Sequence, residues 1–381
     1  MGELAVVGEV ADAMLRASKT RHMAQIRFCS SADGTRIAYT SDGSGPPFVR
    51  AAFYLNHLEL DWQCPVWKPY LYELSRVHTL YRHDMRGFGL SDAECTEQSL
   101  DLWVSDLEAV VDAAGLERFP LFGMCHGGAI AIEYAVRHPE RVSHLVLFGA
   151  YARGQVRRAK TPAEFERREL LVKMVALGWG QDNEAFQQVW PTLLQPSSTL
   201  ERLRSLAELQ RKSSSSANAV RLLRAAGEID VTGSAPRVKC PTLVFHPRED
   251  RAAPFEEGRL LAGLIPGARL VPLDSPNHVL VDDEPAWDEF VKELRAFLPV
   301  SASRWNAIDG AVGKLTARES DVLERIAQGL DNAQIAAHLD LSEKTVRNHI
   351  TSIFDKLGVE NRGQAIVRAR EAGIGLRGAL A

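Results

Sequence analysis

From residue 26 onward the chain alternates short apolar runs with longer stretches whose apolar residues recur every three or four positions. "IRFCSSADGTRIAYTSDG" predicts two strands around an Asp33-Gly34 turn, because Asp-Gly between alternating runs is the strongest local hairpin signal. The runs "FVRAAFYL", "VHTLYRHD", "FPLFGMC", "HLVLFGA", "PTLVFH" and "ARLVPLD" predict further strands. Helices are predicted near 65–75, 99–114, 127–137, 255–264 and 285–297. This alternation predicts a mostly parallel sheet covered by helices, with the first hairpin on its antiparallel edge.

Between about 152 and 235 the strand pattern stops, and charge-rich helical text such as "TPAEFERRELLVKMVALGW" and "TLERLRSLAELQRK" replaces it. An insertion placed after a central strand lies over the carboxyl ends of the strands, where open α/β sheets bind ligands, so it reads as a helical lid. The run "SSSS" at 213–216 reads as a loop within it. Residues 299–312 carry small and polar residues without a period and read as a linker, and everything beyond is helical. The expected layout is an N-terminal extension (1–25), an α/β domain (26–298), the linker (299–312) and an all-α domain (313–381).

Composition narrows this little. With 381 residues, 45% hydrophobic and 25% charged, the chain has room for about two ordinary globular domains. Its net charge of −4 gives no hint of a nucleic-acid partner. Cysteines 29, 64, 95, 125 and 240 are scattered and form no CxxC pair, so neither a disulfide framework nor a metal site is expected, and no motif calls for a cofactor. The N-terminus mixes acidic with apolar residues, and no run reaches the roughly 18 apolar residues a membrane span needs. A cytoplasmic location without membrane contact is expected.

Chemistry enters at "PLFGMCHGGAIAIEYAVRHPERV", residues 120–142. Gly123-x-Cys125-x-Gly127 follows an apolar strand and opens a helix, the context in which a nucleophile stands on a sharp strand-to-helix turn flanked by small residues. A thiol at the start of a helix also feels the helix dipole, which favours thiolate. Such a nucleophile needs an acid and then a histidine later in the chain. Asp250 after one strand and His278 after the next supply them: His278 as the base for Cys125, Asp250 as the group that fixes its tautomer. Asp274 and Asp282 are weaker acids because they crowd His278 in sequence.

With these residues in place, 26–298 resembles the α/β-hydrolase fold family. "YRHDMRGFGLSD" (81–92) is similar to that family's D-x-R-G-x-G-x-S-D segment, and "AIEYAVRHPERVSHLVLFGA" to its stretch after the nucleophile. A Cys-Asp-His set resembles that of dienelactone hydrolases, which implies small esters or lactones. One segment departs: the family places His-Gly after its third strand to build half of the oxyanion hole, whereas this chain reads "YLNHLELDW" (54–62). One donor is expected from the backbone of His126 and a second from Leu58, and His57, Leu58, Trp62 and His126 are the expected ligand-binding residues.

The segment "LTARESDVLERIAQGLDNAQIAAHLDLSEKTVRNHITSIFDKLGVENRGQAIVRARE" (315–371) has a different grammar. Thr316 and Glu319 form a capping-box pattern ahead of an apolar face of Val322, Leu323, Ile326 and Ala327. Gly329 stops that helix, a short one follows from Asn332, and after "LDLS" Ser342 caps a third that runs to Leu357. Two short helices around a tight turn make a helix-turn-helix, and the early turns of the second present Lys344, Thr345, Arg347, Asn348 and Thr351 for base edges and Lys356 for a phosphate. The domain carries ten Lys and Arg against nine Asp and Glu, so DNA affinity must come from local placement and dimerisation. Leu315-Thr316-x-Arg318-Glu319, Thr345-Val346-x-x-His349 and Lys356-Leu357-Gly358-Val359 resemble the LuxR-type DNA-binding family, which implies duplex binding as a homodimer, often through the last helix, here Gln364 to Glu371.

The sequence therefore points to a regulator whose hydrolase-like domain captures a small molecule and whose LuxR-type domain binds double-stranded DNA. The alternative is a cysteine hydrolase of small esters or lactones that its C-terminal domain tethers to DNA or a partner.

Overall fold

The computed structural model of the chain describes residues 25–180, 184–300, 315–339 and 341–371. The N-terminal extension before Gln25 and the linker beyond Val300 lie outside the described residues. The chain forms two compact units, one built from residues up to Asp42 with Pro47–Pro69 and Thr79–Glu293, the other gathering Gly43–Pro46, Tyr70–His78 and everything from Leu294 on.

The first unit is an eight-stranded sheet: β1 (Arg27–Ser30), β2 (Arg36–Gly43), β3 (Pro47–Arg50), β4 (Thr79–His83), β5 (Phe119–Met124), β6 (Val142–Phe148), β7 (Thr242–Pro247) and β8 (Arg269–Leu273). The spatial order is β1-β2-β4-β3-β5-β6-β7-β8. β1 and β2 pair antiparallel through the Gly34 turn at φ 87°, and β4-β3-β5-β6-β7-β8 pair in parallel. β5 and β7 are buried along their whole length, the pattern of strands covered on both faces. This is the mostly parallel sheet with an antiparallel first hairpin that the alternation predicts. The run "FVRAAFYL" is strand only as far as Arg50. Beyond it Ala51 still bonds to Phe122, but the Phe53 N–H is taken by the Asn56 side chain, which turns the chain out of the ladder.

Between β6 and β7 stand five helices, α4 (Gln155–Arg158), α5 (Pro162–Gly178), α6 (Glu184–Leu194), α7 (Leu200–Ser213) and α8 (Ser216–Gly227). Thr161 opens α5 with a complete capping box. The "SSSS" run is less of a loop than expected: Ser213 ends α7, and Ser215 already caps α8 by accepting from the Asn218 N–H. The two ends of the insertion are clasped by backbone bonds from Gly154 to Ile229 and from Val231 to Ala152. A side chain at Gly154 would meet the Ala226 carbonyl at 2.3 Å, so the clasp requires glycine. The helices α1 (Lys68–Ser75), α2 (Leu100–Ala113), α3 (Gly127–Arg137), α9 (Phe255–Leu264) and α10 (Pro285–Phe297) match the predicted spans closely.

In the second unit, Arg295 near the end of α10 grips Glu73 with two bonds of 2.6 and 2.8 Å. The C-terminal helices are α11 (Ala317–Ala327), α12 (Asn332–Leu339), α13 (Glu343–Leu357) and α14 (Arg362–Glu371). Val322, Leu323 and Ile326 of α11, Ile335 of α12, Val346 and Ile353 of α13 and Ala365 and Ala369 of α14 form one core. Thr316 and Ser342 cap α11 and α13 as expected, and Gly358 ends α13 in the left-handed region at φ 63°.

Because every strand precedes Leu273, a chain lacking 313–381 should remain soluble and keep the sheet unit folded. Circular dichroism and limited proteolysis check this, and an aggregating product would place part of that unit's core in the removed segment.

Candidate functional site

The tightest constraint in the sheet unit lies between β5 and α3. Cys125 has φ 52°, the one positive φ at a non-glycine among the described residues. A side-chain-bearing residue held there costs about 1–3 kcal/mol and persists only where the surroundings dictate it. The surroundings are small by necessity. A Cβ at Gly123 would lie 2.5 Å from the Gly127 carbonyl, one at Gly127 2.8 Å from that of Ala52, and one at Gly128 2.4 Å from the Ala150 Cβ. The Cys125 N–H is anchored on the Phe148 carbonyl at 3.0 Å.

His278 follows β8 and Asp250 follows β7, and the two are fully engaged: His278 Nδ1 and Asp250 Oδ2 are 2.6 Å apart. The other carboxylate oxygen accepts the N–H groups of Ala252 and Ala253 at 2.8 and 2.9 Å. Gly149, at φ 53°, leaves room for the imidazole, since a Cβ there would sit 2.8 Å from His278 Cε1. The ring's other side faces Cys125, whose side chain interacts with it. Burial disfavours a charged ring here, but the Asp250 carboxylate and Cys125 outweigh it and push the His278 pKa up to about 10. The same partnership holds the Asp250 carboxyl below its usual range against the opposing effect of burial. Of the weaker acids, Asp274 is exposed and Asp282 is paired with Arg202 at 2.7 Å.

Cys125 is half-buried and opens onto a cavity of about 60 Å³. Its wall is mainly apolar and comes largely from α5, α6 and α8, with Tyr54, His126, Tyr151 and Arg158 also lining it. Trp190 donates its indole N–H to the Tyr54 hydroxyl. His126 is buried, stacks on Phe53 and is kept neutral, its pKa lowered to about 3 by burial and the neighbouring His278.

Of the expected ligand-binding residues, only His126 lines the cavity. His57 and Leu58 turn into a buried polar network: the Leu58 N–H is committed to the Asp84 carboxylate at 3.2 and 3.3 Å, so it is not an oxyanion donor. The His57 N–H is held by Asp61 at 2.8 Å, and Trp62 gives its indole N–H to Asp42 at 3.0 Å. Asp84 belongs to the "DMRGFGLSD" segment and is structural. Burial raises its pKa to about 8, and the N–H groups of Leu90, Leu58 and Asn56 surround it. Tyr54, Tyr151, Trp190 and Arg158 were not singled out in the sequence, because they follow no motif and come from separate segments.

On α13, Lys344, Arg347, Asn348 and Thr351 are exposed on the face opposite Val346, Ile353 and Leu357. Thr345 is half-buried and spends its hydroxyl on Ser342 at 2.8 Å. Lys356 is a correction: its ammonium is bound by both Glu319 oxygens at 2.8 and 2.6 Å and ties α13 to α11 instead of pointing at a phosphate. The same carboxylate accepts from the Ser352 hydroxyl and the Thr316 N–H, which together with Lys356 pull its pKa down to about 2.

A parallel sheet with Cys125 on a strained turn after a central strand, followed by an aspartate and a histidine beyond later strand ends, has the arrangement of a hydrolase-type α/β domain. Residues 55–285, more than half of the chain, match the family described as alpha/beta hydrolase fold, and the chain belongs to it. Residues 313–369 match the luxR family of bacterial regulatory proteins, so a LuxR-type helix-turn-helix DNA-binding domain is fused to the hydrolase domain. Among curated relatives, a putative carbamate hydrolase RutD of Agrobacterium fabrum is 29% identical over 243 residues, covering 61% of this chain and 87% of its own. A 2-hydroxymuconate semialdehyde hydrolase of a Pseudomonas species is 40% identical over 85 residues, covering 22% of this chain and 30% of that protein. The enol-lactonase structure from Burkholderia xenovorans superposes with a TM-score of 0.58 at 23% identity over 72% of this chain and all of its own, a likeness of fold.

The His278 proton has a thermodynamic consequence. Its folded pKa of about 10 lies above the ordinary value of 6.5, so the stabilisation is complete below pH 6.5 and is lost as pH rises toward 10. Unfolding near pH 8 should therefore release about one more proton in the wild type than in His278→Gln, and the variant's melting temperature should fall less between pH 7 and 10. Calorimetry at several pH values checks both. Asp84 also titrates near pH 8 but is present in both proteins and cancels in the difference.

Proposed function

We propose that the protein is a transcription regulator whose hydrolase-like domain senses a small ester- or lactone-like molecule at Cys125 and whose LuxR-type domain binds operator DNA as a homodimer. The observation that carries this reading is the thiol held at φ 52° at a cavity under the lid helices, beside a His278–Asp250 pair, on the same chain as a helix-turn-helix. Sensing then consists of capture: the thiolate adds to a carbonyl carbon, the carbonyl electrons move to oxygen, and collapse expels an alkoxide that takes the proton from His278. The developing oxyanion is received by the His126 N–H at the head of α3, and the amide of Tyr54 is our candidate for the second donor. Losing one such donor costs about a hundred- to a thousand-fold in rate, so the altered segment after β3 favours a slowly released adduct over rapid turnover.

The second reading, a tethered hydrolase, is favoured by the intact order of Cys125, Asp250 and His278. The rate of hydrolysis of the acyl-Cys125 adduct, followed by intact mass after a short ester or lactone is added, separates the two. An adduct that outlasts DNA binding supports sensing, and rapid loss with repeated turnover supports the enzyme.

Two variants test the parts. Replacing His278 by Ala should slow alkylation of Cys125 at neutral pH by roughly a hundredfold, and an unchanged rate removes it from the site. Arg347→Ala should weaken operator binding by about 1–3 kcal/mol in a titration against specific and random duplex, and equal loss on both makes Arg347 a phosphate contact.

A further inference from the structure

Of the two guanidinium groups among the described residues that line the cavity, those of Arg158 and Arg168, one has no counterion. Arg153 is paired with Glu257 at 2.7 Å, Arg157 with Glu228 at 3.2 Å and Arg168 with Glu169 at 2.5 Å. Arg158, half-buried in the cavity wall, has no carboxylate within ion-pair distance among the described residues. Its guanidinium donates to two backbone carbonyls, those of Arg153 at 3.2 Å and Ala252 at 3.3 Å, and lies 5.5 Å from the centre of the Tyr151 ring. Neutral carbonyls orient a guanidinium but do not cancel its charge, and a charge withdrawn from water without a partner is costly. Of its five N–H donors, two are engaged by those carbonyls, which leaves part of the fork for another acceptor.

From this we propose that the cavity takes a short ligand bearing a carboxylate, gripped by Arg158, with the reactive carbon of the ligand directed at Cys125. The inference rests on the reading of Cys125 as the capturing group and adds the chemical class of what it captures. The planar fork of Arg158 matches a carboxylate, and the ring of Tyr151 beside it fixes the fork's orientation. A cavity of about 60 Å³ admits a ligand of only a few carbons in this arrangement of the lid. A phosphate's second charge would find no second cation here, since Arg168, the other guanidinium in the wall, is already paired with Glu169. The competing role for Arg158 is to balance the charge of Asp250 and Cys125, both of which act on it electrostatically against the effect of burial.

Iodoacetate and iodoacetamide separate these roles. Both form the same S–CH2 bond and expel iodide, and only the first carries a carboxylate. Their rates at Cys125 are measured on the full chain by peptide mass, with Cys125→Ala controlling for the other thiols. The expected result is a preference for iodoacetate that falls about tenfold in Arg158→Gln and is partly retained in Arg158→Lys, while the iodoacetamide rate stays near that of the wild type. That neutral rate also reports that the variant is folded. An unchanged ratio, or an equal fall in both rates, overturns the proposal and leaves Arg158 as a group that balances the site's charge. If neither reagent labels Cys125 above the control, the capture reading itself fails. Carboxylate binding is then decided in Cys125→Ala by the thermal shift from butyrate against butyramide. A butyrate-specific shift abolished by Arg158→Gln upholds the anchor, and no butyrate preference overturns it.

Discussion

The hydrolase unit is organised around one backbone torsion. Cys125 sits in the left-handed region because β5 must end and α3 must begin within two residues, and the glycines around it leave no other path. The turn sets the thiol at the head of a helix, where unpaired N–H groups and the dipole favour negative charge. It also fixes what the rest of the site must be. His278 can approach only because Gly149 has no side chain, and His278 holds its orientation only because Asp250 is itself pinned by two backbone amides. Each link is a close contact that a methyl group would break.

What was legible in the sequence is what local chemistry dictates. The elbow, the order of acid and histidine, the hairpin at Asp33-Gly34 and the caps at Thr316 and Ser342 each require particular residue types at fixed short spacings. They appear in the structure where those spacings put them. The residues that were misread are those whose partner lies far along the chain. Leu58 is claimed by Asp84, 26 residues on, and Lys356 by Glu319, 37 residues back. Trp62 reaches back 20 residues to Asp42. A polar or amide group reads as available until the fold brings its partner to it, and no periodicity reveals that.

The same distinction explains the lid. Its helices were legible as helices, and its clasped ends follow from its place between two strands of the sheet. The cavity wall was not legible, because it draws Tyr54, Trp190 and Arg158 from three separate segments that meet only in the fold. Nothing in the sequence sets Arg158 apart from the basic residues around it, and the pairing of Arg168 with Glu169 leaves Arg158 as the unmatched guanidinium of the cavity wall.

The size of the cavity bears on how capture could become a signal. A ligand shifts an equilibrium only by its difference in affinity for two states. Ordinary ligand pockets enclose about 300 Å³ or more, several times this one. A ligand of only a few carbons can be held with the lid as it stands, and its effect would then come from charge and covalent attachment alone. Anything larger must displace α5, α6 or α8 to enter, so that binding and lid movement become one event. On the proposed reading, the second case supplies the differential affinity without any further device, because the closed lid excludes the ligand and the displaced lid admits it. Gly154 and Val231, whose backbone hydrogen bonds to Ile229 and Ala152 hold the two ends of the insertion together, would have to stay joined through such a movement for the lid to shift as one piece.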